Sequence, residues 1–192
     1  MNHIDPIGSI VVPTVMFLTT GFAFGWAKPV PYNPYNLRNQ KWGPALVALA
    51  GPMSNISLAL LAVIVGRLLP LSVAVRDEVF LKFLGIISGA GSFADRWGLF
   101  ASSLSGSYSR IFFALMLFVI FWNVLLAFFN LIPIPPLDGS KLLYATFSFR
   151  QETILFLERY GFFILLFVIF FLSTPVSVIL DTALGFFFGL LF

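Results

Sequence analysis

The chain has 192 residues, of which 59% are hydrophobic and 10% charged, with no cysteine, one histidine and a net charge of +3. Ordinary soluble domains carry roughly 45–50% apolar and about 25% charged residues, so a water-soluble fold cannot hide this much apolar surface. Without cysteine there can be no disulfide and no thiolate metal site, and the small, dispersed positive charge suits anionic lipid headgroups rather than nucleic acid.

The length suits a single membrane-embedded domain over residues 1–192. An uncharged run from Ile7 to Trp26 is about long enough to cross the roughly 30 Å hydrocarbon layer. It does not read as a cleavable signal peptide, because the residues before it are polar and include Asp5. Further runs extend over 44–66 and 111–131, a fourth covers 156–174, and Pro175 separates it from a last apolar stretch over 176–192 that contains Asp181. The last two are separate helices, or one span followed by a re-entrant hairpin. Trp26, Tyr32, Tyr35 and Trp42 gather where the first two runs meet polar sequence, as interfacial aromatics do. The expected fold is an all-α bundle of four or five transmembrane helices, integral to a membrane and multi-pass. Lys and Arg divide almost evenly between the two sides, so orientation stays open.

Polar segments lie between these runs. In residues 28–43, Pro29, Pro31 and Pro34 prevent a regular helix and favour an extended or hairpin backbone. Residues 67–110 mix charges with an apolar stretch over 80–87, which fits an amphipathic helix along the interface. Gly21 with Gly25, Gly85 with Gly89, and Gly185 with Gly189 have a spacing that lets helices approach, but such pairs arise readily by chance in a glycine-rich membrane chain.

The segment with the most chemistry follows the third run: Asn130-Leu-Ile-Pro-Ile-Pro-Pro-Leu-Asp138-Gly139. Three prolines remove backbone donors and unwind the chain where it would leave the bilayer, an arrangement tolerated only when protein or a water-filled cavity surrounds it. Asp138 follows the break. Two roles are open to it: a metal or proton site, as for any ionisable group near membrane depth, or a cap on the next helix with Lys141 as its exposed partner.

This segment resembles the N-x-x-P-x-P-x-L-D-G motif of the site-2 protease family of intramembrane zinc metalloproteases, matching at Asn130, Pro133, Pro135, Leu137, Asp138 and Gly139. His3-Ile-Asp-Pro-Ile-Gly8, Phe24-Gly-Trp-Ala-Lys-Pro-Val-Pro31 and Ala50-Gly-Pro-Met-Ser-Asn55 are similar to stretches of the short bacterial members, in family order. The resemblance implies a zinc ion held by two histidines of an H-E-x-x-H helix and by Asp138, with the glutamate as general base. Zinc would lower the pKa of a bound water to about 7. By the same resemblance Asn130 has a catalytic role, binding the substrate backbone or the developing oxyanion, although an interhelical hydrogen bond explains it equally well.

The sequence departs from that pattern at a decisive point, since it contains no H-E-x-x-H and its one histidine is His3. The family places that helix before the His-Ile-Asp-Pro segment. The expectation is therefore a chain lacking its first helix, with an inactive relative as the alternative. His3 and Asp5 read as a polar loop. Asn55 sits near a kink at Gly51-Pro52, beside the expected substrate path; Asn55-Ile-Ser57 matches a glycosylation acceptor but falls within an apolar run. Lys28, Pro29, Val30 and Pro31 belong to an extended segment able to pair with an unwound substrate as an added strand. Glu158, Arg159 and Asp181 read as markers of helix ends.

Three functions compete: an intramembrane zinc protease cleaving transmembrane segments of other membrane proteins, a non-catalytic scaffold of the same family, and a small transporter with two broken helices. The partners expected are a transmembrane protein or peptide and the lipid bilayer, with no nucleic acid. The transporter reading predicts matched halves, and the sequence has none.

Overall fold

The computed structural model describes residues 10–20, 38–89 and 91–192. The chain divides into two units, 1–40 and 41–192. In the first, α1 (Val12–Thr20) is the described part of the run expected from Ile7 to Trp26. The Thr14 hydroxyl donates to the Ile10 carbonyl at 2.7 Å. The extended segment expected over 28–33, with Lys28, Pro29, Val30 and Pro31, lies outside the described residues, as do His3 and Asp5.

The second unit is helical, and among the described residues no strand forms: α2 (Gly43–Leu68), α3 (Val73–Ile87), α4 (Phe93–Leu104), α5 (Tyr108–Asn130), α6 (Gly139–Thr146), α7 (Gln151–Phe171) and α8 (Ser173–Gly189). Three of these, α2, α5 and α7, are long and apolar enough to cross a membrane. Helices suit this environment because every backbone donor finds its acceptor within the segment. α2 begins with Pro44 in its first turn, where a missing N–H costs nothing, but also carries Pro52 in its interior. Beside that defect, the Ser54 and Ser57 hydroxyls donate back to the carbonyls of Gly51 and Met53.

α5 is the centre of the unit. α2 lies along it using small side chains, Ala59, Ala62 and Val63, and its Gly66 packs so closely that a Cβ there would meet Leu191 Cδ1 at 2.7 Å. Small residues let backbones approach, and in lipid that packing replaces the hydrophobic drive available in water. α8 packs on another part of α5 through Ala183, Phe187 and Phe188. The segment expected to lie along the interface forms α3, and α3 and α4 pack on each other and on α5, with Val79 and Phe83 fully buried. The Phe83 ring sits 5.0 Å from Phe118, 6.1 Å from Phe121 and 5.9 Å from Phe188, so aromatic packing ties α3 to the middle of α5 and to α8.

α7 turns Phe156, Phe162, Phe163, Phe167 and Phe170 outward, a surface suited to lipid. The break before α8 falls at Leu172, not at Pro175. Pro175 lies in the first turn of α8, where a helix has no use for its N–H. With the start at Ser173, Asp181 falls at the middle of α8 and does not mark a helix end.

Candidate functional site

Between α5 and α6 the chain makes a compact series of turns. The Ile132 N–H donates to the Phe129 carbonyl at 3.1 Å, Ile134 to Ile132 at 2.8 Å and Leu137 to Ile134 at 3.0 Å, while Pro133, Pro135 and Pro136 donate nothing. The loop closes tightly on Gly139, where a Cβ would collide with the carbonyl groups of Leu131 and Ile132. A second glycine holds it from outside: a Cβ on Gly161 of α7 would lie 2.5 Å from the Pro135 carbonyl oxygen.

This loop presents Asp138. The residue occupies the N-cap position of α6, but its backbone is already helical and its side chain makes no capping hydrogen bond. Nor does Lys141 serve as its partner, because the Lys141 ammonium bonds Glu158 of α7. The cap reading therefore fails. The carboxylate is half-buried and makes no hydrogen bond or ion pair among the described residues. It faces α2, where a Cβ on Gly51 would stand 3.5 Å from Asp138 Oδ2. Burial pushes the Asp138 carboxyl above its usual range, and the charge of Lys141 pulls it part of the way back.

Gly51 and Asn55 are four residues apart in α2, so they share one helical face. Asn55 is half-buried, and its side chain has no hydrogen-bond partner among the described residues. Asn130, the last residue of α5, is likewise half-buried and has no partner among the described residues. The third asparagine of these helices behaves differently, since the Asn123 amide donates to the Val119 carbonyl of its own helix. Among the described residues, then, neither Asn55 nor Asn130 makes an interhelical hydrogen bond.

As a metal site the described residues are incomplete. Among them no three His, Cys, Asp or Glu side chains come together in a group able to hold a metal ion. A catalytic zinc takes three protein ligands and one open position, and Asp138 is one carboxylate. The donor set fits one ligand of such a site and not the whole.

The structure brings Asp138 against the α2 face that carries Gly51, four residues before Asn55; nothing in the sequence marks Gly161, Lys141 and Glu158 as the loop's outer support, since residues 17 positions apart on two helices leave no periodic signal. An apolar crevice of about 230 Å³ beside the loop, lined by Phe128, Pro133, Val176 and Leu180 among others, has no group for acid–base chemistry.

The family model described as peptidase family M50 matches residues 14–173. A protein of Bacillus subtilis (strain 168) named "Putative zinc metalloprotease YwhC" is 31% identical over 143 residues, covering 74% of this chain and 49% of the relative. The chain thus spans about half the length of that curated relative. No solved structure matches it.

Proposed function

Because the chain belongs to peptidase family M50, the site-2 proteases, whose members are membrane-embedded metallopeptidases, we propose that it forms the part of an intramembrane zinc protease that supplies Asp138 as a metal ligand. One observation carries the reading. A half-buried carboxylate has no partner among the described residues, at the end of a loop that two glycines hold in place, against a helix face where Gly51 leaves room for it. Even a half-buried charge without a partner costs stability, and a cation is what would offset that cost.

In this reading the substrate is a transmembrane segment of another membrane protein. Asn130 and Asn55 hydrogen-bond its unwound backbone, and Lys28, Pro29, Val30 and Pro31 pair with it as an added strand. The chain crosses a bacterial inner membrane four or five times, counting α8 and the run containing α1 as well as α2, α5 and α7. The zinc would polarise the scissile carbonyl and activate water. Its other ligands and the general base come from residues outside this chain. No step is assigned to the described residues beyond holding the metal and orienting the substrate.

The count of donors supports a second reading, a non-catalytic family member that binds helices. The discriminating measurement is zinc content by atomic spectroscopy, beside cleavage of a transmembrane substrate in liposomes. We expect the 192-residue chain to hold well under one equivalent of zinc and to cleave nothing. Joined to a helix carrying H-E-x-x-H, it should hold zinc and cleave, and Asp138→Ala should abolish both. If the joined protein binds no zinc, the non-catalytic reading stands; if the Asp138→Ala form keeps both zinc and activity, Asp138 is no ligand.

A further inference from the structure

Lys141 is the cation nearest to Asp138 along the chain. Three residues apart at the start of α6, the two side chains lie on neighbouring positions of a helix surface, the geometry in which an acid and a base ordinarily pair. They do not pair. The ammonium instead crosses to Glu158, 17 residues on in α7. Glu158 and Gly161 are themselves three residues apart and so share a face of α7, and that face meets the loop twice, through the ion pair and through the close approach of Gly161 to Pro135. Pro135, Pro136, Ser140, Lys141 and Glu158 line one small cleft there. Elsewhere α7 is thinly attached. Gly161 and Leu165 are its only buried residues, which gives these two contacts weight in fixing where α7 meets the loop.

We infer that α7 clamps the Asp138 loop: Gly161 seats Pro135, and Glu158 holds the Lys141 ammonium off the Asp138 carboxylate, so that this carboxylate stays available to a cation. Glu158 is thus a positioning residue, acting on Asp138 through Lys141. The inference rests on the reading of Asp138 as a metal ligand and adds the device that keeps a resident amine from occupying the ligand first. Without Glu158, the acid closest to Lys141 along its own helix is Asp138.

The test uses the 192-residue chain in detergent and reads the rate at which a water-soluble carbodiimide and an amine label Asp138 at fixed pH, normalised to Glu152 and quantified by mass spectrometry. Glu158→Gln keeps the size of the side chain and removes its charge. Labelling of Asp138 should fall by roughly two- to five-fold, the range that an exposed ion pair supports. Removing the diverted amine as well, in Glu158→Gln/Lys141→Gln, should restore it. A purely structural role for Glu158 would give a loss that the second substitution does not rescue, and that outcome overturns the inference, as does unchanged labelling in Glu158→Gln. Failure of the ligand reading appears elsewhere, as zinc retained by the Asp138→Ala form of the protein joined to H-E-x-x-H. The two ideas therefore fall separately.

Discussion

Asp138 of the proline loop and Gly51 of α2 face each other closely enough that a methyl group on Gly51 would rest 3.5 Å from the carboxylate Oδ2. That separation is ordinary van der Waals contact, so the pair distinguishes a small side chain from a large one. Gly51→Ala should be tolerated and leave Asp138 reactive toward a carboxyl-labelling reagent. Gly51→Leu should cover the carboxylate and suppress its labelling while the helix content by circular dichroism stays the same. Equal labelling in all three proteins would mean that the two residues are not neighbours.

The carboxylate should also be a burden on the metal-free chain. Burial raises the Asp138 pKa above its unfolded value, so the folded chain binds a proton more readily than the unfolded one, and stability falls as pH rises through that interval. Asp138→Asn removes the charge. In the absence of metal it should melt at a higher temperature than the parent at pH 7, and the difference should shrink as pH drops below the usual carboxylate range. Scanning fluorimetry in detergent at several pH values reads this directly, and a lower melting point for the variant at pH 7 would contradict it.

Two glycine substitutions should differ in severity. At Gly139 the colliding atoms are carbonyl groups of the same loop, which cannot move apart without opening its turns, so Gly139→Ala should cost about 3 kcal/mol or prevent folding. At Gly161 the collision is between α7 and Pro135, and a thinly packed helix can shift. Gly161→Ala should cost about 1–2 kcal/mol and leave the α2–α5 pair intact. Urea or detergent denaturation of both proteins would show the order.

Phe83 packs against rings from α4, α5 and α8 and is fully buried. Phe83→Ala should leave a cavity and cost about 3–5 kcal/mol, whereas Phe163→Ala, on the outward face of α7, should change stability by less than about 1 kcal/mol. Comparable losses at the two positions would contradict this assignment of core and lipid faces.

The long helices were legible in the sequence because a run without charges has one stable form in lipid. α2 and α5 begin and end within about three residues of the runs that suggested them. The break before Asp138 was legible because three prolines remove backbone donors, whereas local chemistry left both a cap and a metal site open to Asp138 and only the family resemblance favoured the metal. The burial of Phe83 was not legible, because Arg76, Asp77, Glu78 and Lys82 in the same helix suggest a surface while the rings that cover Phe83 lie far away in sequence. Pro175 suggested a break that the chain places three residues earlier, because the start of a helix accepts proline. The exchange of Lys141 from Asp138 to Glu158 could not be read at all, since it depends on how α7 docks.

Pro52 has a consequence for how α2 meets solvent. A proline has no N–H to give, so the Ala48 carbonyl, one turn earlier, lacks its regular donor. Ala48 is also within one turn of Gly51, the residue that faces the Asp138 carboxylate. α2 therefore has a carbonyl without its regular helical donor close to the acid. Hydration of the interior should begin at that point, and the amides around Pro52 should exchange with deuterium sooner than those a few turns on, where Ala59 and Ala62 lie against the core.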